Sequence, residues 1–299
     1  FMNVVSDIKR LKVGKVIESP IMKNYTTYKV GGKAICIVIP NSTPDLIKLM
    51  NYIYTNKIKY MILGNGSNVI FNDSGYDGVL IKLTKFDKFE QYGHEFTIGA
   101  GVPTIKAAMK VSKEGYTGFE FATGIPGTIG GAIYMNAGAY KSDMGYVVES
   151  VKVLTPDMKV VTLVNKEMQF HYRSSFLQTH PGYVCLEVVL ELKHGKRDAI
   201  EEVIRDRRQR RLESQPLEYP SAGSVFRNPP DNFAGKLIEE CGLKGYKIGG
   251  ASVSEKHANF IINSDNATGE DIINLINHIK NSVYKKFGIK LKEEQIIIE

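Results

Sequence analysis

The chain has 299 residues, which at roughly 150 residues per domain suggests two domains. Its 43% hydrophobic and 24% charged residues exclude a wholly disordered chain, a collagen-like one and a small disulfide scaffold. The net charge of +7 fits either plain solubility or an anionic ligand.

No apolar run reaches the ~18 residues of a membrane helix. The opening FMNVVSDIKRLK has no apolar h-region, so a secretory signal is not expected, and Phe1 ahead of Met2 reads as an added residue. Cys36, Cys185 and Cys241 are odd in number and far apart. That pattern fits a reducing cytoplasm, not a disulfide framework or a CxxC metal site.

In chain order, AICIVIP (34–40) reads as a strand. A helix follows, with Thr43 as N-cap, Pro44 at its first position and Leu46, Ile47, Met50 and Ile53 on its apolar face. Residues 60–71 read as strand, glycine loop, strand, and 78–83 as a further strand. A helix is expected over 103–114, two strands joined at Pro156 and Asp157 over 147–164, and a strand over 183–193. The charged stretch 196–213 is helix-compatible, 215–230 is a proline-rich loop and 232–242 a short helix closed by Gly242. Thr268 with Asp271 starts a long helix that Gly288 ends, and 295–298 is a closing strand. Strands and helices do not alternate regularly, so the fold class expected is α+β, with a boundary near 194–200.

Five short stretches carry candidate chemistry. Gly64, Asn65, Gly66, Ser67, Asn68 and Val69 stand between two apolar runs. Their amides suit an anion-binding nest, although a lone GxGS is more often a plain turn. Over 123–140, Gly124, Gly127, Gly130, Gly131 and Gly138 leave little side-chain volume, so a flat cofactor or a close backbone crossing is expected there. Ser224, behind Ala222 and Gly223 in the stiff loop 221–230, is either a fixed hydroxyl donor or a turn serine. Arg173, among Phe170, His171, Tyr172 and Phe176, is either an anion clamp or cover for apolar surface. Glu293 and Glu294 precede the last strand, where an acidic pair is usually just solvated.

GxGxxG, GxxxxGK[ST], HExxH, paired CxxC and GxSxG are absent, which disfavours dinucleotide-first folds, P-loop enzymes, zincins and α/β-hydrolases. The basic run 205–211 lacks the interleaved aromatics that stack bases and reads first as a solvated helix face and second as a diphosphate contact.

Taken together, TYKVGG (27–32), LGNGSNV, GIPGTIGGAIYMNAGAY, YRSSF, QPLEYPSAGSVFRNP, GLKGYKIGGASVSEKHANFIIN and LKEEQIII resemble the UDP-N-acetylenolpyruvoylglucosamine reductase family over nearly the whole chain. The resemblance implies a vanillyl-alcohol-oxidase-type (PCMH-type) FAD-binding module over 2–194, in two subdomains split near 80–90. A smaller α+β substrate-binding domain over 195–299 follows, whose last strand returns to the flavin site. It places the FAD diphosphate at 64–69 and the flavin beside Thr123, Gly124, Pro126, Gly127, Thr128, Gly130, Gly131, Ala132, Asn136 and Gly138. These segments hold no His or Cys, so the FAD is expected to be non-covalent.

The implied reaction belongs to peptidoglycan precursor synthesis, and through it to cell-wall biogenesis, cell shape and division. NADPH, the co-substrate, reduces FAD; hydride then passes to C3 of the enolpyruvyl group of a UDP-sugar, and C2 is protonated. Ser224 falls at the proton-donor position, Arg173 at the active-site arginine and Glu294 at the catalytic glutamate. Tyr172, Asn228 and His257 fall where substrate contacts lie. Gln295 stands where the family usually has Val, and with Glu293 adjacent the choice of catalytic carboxylate stays open. The short segment between Arg173 and Arg197 resembles the compact subtype. A cytoplasmic monomer without metal, nucleic-acid or membrane partners is expected. The competing readings are another FAD oxidoreductase of the same module and an RNA-binding protein using 205–211.

Overall fold

The computed structural model describes residues 3–299; Phe1 lies outside the described residues. Two compact units appear. The first comprises residues 3–18, Ile35–Gly64 and Gly78–Gln209, and the second Ser19–Ala34, Asn65–Asp77 and Arg210–Glu299. This differs from a single boundary at 194–195. Two early segments belong with the C-terminal part, and most of the charged helix Arg197–Ser214 stays with the first.

The first unit is built on two sheets. One has the order Gly14–Glu18, Ala34–Pro40, Tyr76–Ile81, Tyr60–Ile62. The other is antiparallel throughout, with Val160–Val164, Val148–Leu154, Val184–Glu191, Glu95–Gly99 and Phe89–Tyr92 side by side. The strand Ala34–Pro40 is buried on both faces, which its unbroken apolar run requires. Helix Thr43–Thr55 starts one residue earlier than expected. Ser42 is its N-cap, accepting from the Asp45 N–H at 3.4 Å, so Thr43 and Pro44 are already helical. Leu46, Leu49, Met50 and Ile53 are the buried face of that helix.

The glycine-rich stretch contains an unforeseen element, the short helix Ile129–Met135. Two glycines make it a poor helix by propensity. Tertiary anchors hold it: the Thr128 hydroxyl caps it by accepting from the Gly131 N–H, Ile129 and Ile133 are fully buried, and Asn136 ends it in the left-handed region at φ 46°.

The second unit has its own core, centred on Tyr28, Ile70, Phe226, Leu237, Val253, Ile272, Ile276 and Val283. Helix Gly269–Phe287 starts at a capping box, in which Thr268 and Asp271 exchange hydrogen bonds, and ends at left-handed Gly288. Its Ile272, Leu275, Ile276, Ile279 and Val283 are the buried stripe. A small antiparallel sheet (Lys247–Ile248, Ala251–Val253, Ile261–Asn263) packs in the same unit. The closing strand Ile296–Ile298 pairs in parallel with Val69–Phe71. Among the described residues no helix is long and apolar enough to cross a membrane.

Candidate active site

In the first unit the site is organised around the turn 170–175. A surface strand there would carry its arginine passively; the structure has a tight turn instead. His171 and Ser174 bridge, and Arg173 sits in the left-handed region at φ 50°. That conformation costs a non-glycine residue free energy, so the surrounding contacts must enforce it. They are visible. The Arg173 Nη2 donates to the Gly138 carbonyl at 2.8 Å and Nη1 to the Asn136 carbonyl at 3.5 Å, while the guanidinium lies 5.0 Å from the Tyr172 ring centre. Gln178 Nε2 donates to the Arg173 carbonyl at 2.9 Å and ties the turn to Tyr134. The planar fork is thus oriented by the backbone of the glycine stretch.

Asn136 is 1% exposed, and its side chain serves the fold. Nδ2 donates to the His171 carbonyl at 2.7 Å and Oδ1 accepts from the Gly145 N–H at 2.9 Å. It joins the glycine stretch to the arginine turn and is not an open contact.

The adjacent glycines of the short helix differ in what they face. A Cβ on Gly130 would meet Ala100 Cβ at 3.2 Å and its carbonyl at 3.3 Å, so Gly130 allows close packing on the sheet. A Cβ on Gly131 would meet nothing nearer than Thr128 Oγ1 at 3.5 Å, and Gly131 is exposed. Gly64 packs on that same Thr128 hydroxyl. Thr123 Oγ1 donates to the Glu120 carbonyl at 2.8 Å, and the Gly127 carbonyl accepts from the Thr104 N–H at 2.9 Å. Gly124, Pro126 and Gly131 are at least partly exposed, while Ala132 is buried. Gly131 thus leaves one bare position on this helix, next to the partly exposed loop residues Gly124 and Pro126, where a flat ring system could lie.

In the second unit, Asn65, Gly66 and Ser67 form a turn with Gly66 at φ 66°, where a Cβ would overlap the Tyr25 carbonyl oxygen. Among the described residues, the backbone N–H groups of these three donate no hydrogen bond, although the Gly66 carbonyl accepts from Thr27 N at 3.0 Å. Successive undonated amides around a left-handed glycine suit a phosphate group. Val69 follows, buried in its strand.

The same unit joins this turn to both remaining catalytic candidates. Asn68 Nδ2 donates to the Glu294 carbonyl at 3.3 Å, and the Asn68 carbonyl accepts from Ile296 N at 2.9 Å. The Val225 carbonyl, one residue after Ser224, accepts from Glu294 N at 2.7 Å, and Phe226 bridges Glu293. The Ser224 loop and the Glu294 segment therefore run side by side. Glu293 Oε1 pairs with Lys280 Nζ at 2.6 Å. The Glu293 carboxylate is thus engaged by a lysine of helix Gly269–Phe287.

Asn228 Oδ1 accepts from Ala234 N at 3.0 Å and holds the turn that leads into helix Ala234–Glu240. His257 Nδ1 accepts from Asn259 N at 3.2 Å. Burial, with Lys244 adding to it, pushes the His257 imidazole below its ordinary 6.5, so the ring is neutral at neutral pH. Asn259, which the sequence did not single out, braces the serine loop. Its carbonyl accepts from Val225 N at 2.8 Å, and its side chain exchanges two hydrogen bonds with Phe226. Gln295 is the other residue the sequence left without a role, and it is 3% exposed. Burial pushes the thiols of Cys36 and Cys185 up to about 11 and about 12, which leaves neither a nucleophile at neutral pH. Among the described residues no group of three or more His, Cys, Asp or Glu side chains is placed to hold a metal.

Residues 34–164 match the model of an FAD binding domain, and 215–298 that of the C-terminal domain of UDP-N-acetylenolpyruvoylglucosamine reductase. The UDP-N-acetylenolpyruvoylglucosamine reductase of Caldanaerobacter subterraneus subsp. tengcongensis is 46% identical, over 96% of this chain and 95% of its own. That of Bacillus subtilis is 42% identical over 99% and 98%. The chain belongs to the UDP-N-acetylenolpyruvoylglucosamine reductase family. The fold agrees. The crystal structure of the Thermus caldophilus UDP-N-acetylenolpyruvylglucosamine reductase superposes with a TM-score of 0.83 at 31% identity, covering 95% of this chain and 99% of that one. Along this chain the FAD-binding match thus precedes the C-terminal match.

Proposed function

We propose that the chain is an FAD-containing, NADPH-dependent oxidoreductase that reduces the enolpyruvyl group of UDP-N-acetylglucosamine enolpyruvate to the lactyl ether of UDP-N-acetylmuramate. The observation that carries this is the pairing of the Ser224 loop with the Glu294 segment, joined in turn to the glycine turn by Asn68. FAD, when bound, supplies the relay that takes hydride from NADPH and passes it to the substrate.

The chain's own residues do the rest. The amides of Asn65, Gly66 and Ser67, with Asn68, hold the diphosphate. Gly64 and Val69 set the path of that turn. Thr123, Gly124, Pro126, Gly127, Thr128, Gly131 and Gly138 form the bare surface for the flavin, and Gly130, Ala132 and Asn136 support it from behind. Arg173, its fork already aimed by the Gly138 and Asn136 carbonyls, binds the enolpyruvyl carboxylate and stabilises charge that develops there. Its preset geometry lowers the cost of ordering it on the substrate. Ser224 delivers the proton to C2. A hydroxyl is a weak acid, so the benefit comes from fixed geometry, and Glu294 assists from the neighbouring segment. Tyr172, Asn228 and His257 contact the UDP-sugar. His257, held neutral, offers a hydrogen bond without adding charge.

The division of labour proposed is an FAD-binding part before about residue 195 and a substrate-binding part after it. A cytoplasmic monomer acting on small molecules is the state proposed. Arg207, in the basic run, already stacks 4.5 Å over the Tyr140 ring, which supports a structural use of that run over nucleic-acid binding.

The test is spectroscopic. The purified protein should show a flavin absorbance band that NADPH bleaches and the enolpyruvyl UDP-sugar restores. A colourless protein, or a reduced flavin indifferent to that substrate, would overturn the proposal.

A further inference from the structure

We infer that Gln295 is a positioning residue that locks the hinge ahead of Ser224. The inference rests on the proton-donor role proposed for Ser224. The Gln295 Nε2 donates to the Ala222 carbonyl at 3.0 Å and to the Gly223 carbonyl at 3.1 Å. Its Oε1 accepts from the Tyr28 hydroxyl at 2.7 Å. Tyr28 is fully buried and Gln295 is 3% exposed. Both donors and the acceptor of one amide are thus engaged in a dry environment. The amide has one sensible orientation: turned over, its oxygen would face two carbonyl oxygens.

The position of this lock gives it a catalytic consequence. Gly223 has φ 73°, and a Cβ there would meet no atom within 4 Å, so no side chain braces the hinge at Gly223 itself. Fixing the carbonyls of Ala222 and Gly223 fixes the two peptide planes that lead into Ser224. On the far side, Val225 is held by Asn259 and by the Glu294 N–H. Ser224 is therefore pinned before and after, and the residue next to the proposed catalytic glutamate does half of the pinning. An apolar residue at this position would leave two carbonyls and a tyrosine hydroxyl unpaired. The lock is accordingly a pair of residues, Tyr28 with Gln295.

The test uses the full-length flavoenzyme with Gln295→Leu, Tyr28→Phe and Ser224→Ala in parallel, each half-reaction being followed by stopped flow. For Gln295→Leu, reduction by NADPH should stay within about twofold of the parent. Reoxidation by the enolpyruvyl substrate should slow roughly 10-fold or more, since a loosened donor loses its alignment, and its solvent isotope effect should rise. Tyr28→Phe should lie between the two. Independently of turnover, amide exchange at Val225 should quicken about 10-fold in Gln295→Leu, the effect of one lost hydrogen-bond lock. Equal slowing of both half-reactions, or unchanged exchange at Val225, overturns the inference. Parent-rate reoxidation in Gln295→Leu while Ser224→Ala is slow overturns the lock and leaves the donor standing. Parent-rate reoxidation in Ser224→Ala overturns the donor itself, and the inference with it. If Gln295→Leu does not fold, Tyr28→Phe decides by the same two readouts, with parent behaviour in both counting against the lock.

Discussion

Gly131→Ala separates the need of the fold from the need of the cofactor at one atom. In the folded chain the new methyl meets nothing closer than Thr128 Oγ1 at 3.5 Å, an ordinary contact. The residue sits inside helix Ile129–Met135, where alanine is favoured over glycine by roughly 0.5–1 kcal/mol. Apo-protein should therefore melt roughly 1–3 °C higher than the parent. The methyl also rises from the bare surface assigned to the flavin. An intruding methyl at a close-packed contact costs about 1–3 kcal/mol, so FAD should be held roughly 5- to 150-fold less tightly. Differential scanning fluorimetry of apo-protein and an FAD titration by flavin fluorescence read the two effects apart. A variant with raised melting temperature and parent FAD affinity would refute the assignment of this face to the cofactor. A lowered apo melting temperature would refute the claim that the space is open.

Gly66→Ala should lose FAD and stability together. Its Cβ overlaps the Tyr25 carbonyl, and the left-handed backbone alone costs about 1–2 kcal/mol, so an unchanged apo melting temperature would count against the geometry. Arg173→Lys keeps a charge but not the fork; it should slow flavin reoxidation by the enolpyruvyl substrate about 100-fold and flavin reduction by NADPH far less, and equal slowing in stopped flow would reject a carboxylate clamp. Ser224→Ala should slow reoxidation at least ~100-fold and leave reduction near the parent rate, with Ser224→Cys recovering part of the loss. His257 is depressed below 6.5 in the fold, so the unfolded chain binds the extra proton first; stability is lost as pH falls from about 6.5, and His257→Gln should flatten that part of a urea-melt pH profile.

Much of this was legible because it is local. The capping box of Thr268 with Asp271, the apolar stripe from Ile272 to Val283 and the stop at Gly288 are all contained within one helix. The glycine stretch was legible as a place lacking side chains but not as a helix, since its caps and its buried Ile129 and Ile133 act against propensity. The hairpin Phe89–Tyr92 and Glu95–Gly99 escaped notice because the first strand is mostly exposed and has no apolar alternation. The two-unit division was hidden for a different reason. Membership of Ser19–Ala34 and Asn65–Asp77 in the second unit is set by pairings such as Ile296 with Val69, which no local pattern encodes. Motif order singled out Ser224, Arg173 and Glu294 as candidates, while the Lys280 ion pair of Glu293 is set by the fold and is invisible to it. Gln295 was visible as a departure; its meaning depends on partners 267 and 72 residues away in sequence.

The discontinuity of the second unit bears on how the chain is made. The C-terminal model covers 215–298, yet a polypeptide of that span lacks Tyr28 and the strand Val69–Phe71. It would emerge with the Gln295 amide facing no hydroxyl and with Ile296–Ile298 as an open edge, an invitation to aggregation. On the ribosome, 19–34 and 65–77 must wait through the synthesis of more than a hundred further residues before their C-terminal partners appear. Closing such long loops makes folding slow. Splitting this chain at its apparent midpoint should thus yield two fragments that recover structure only when co-expressed.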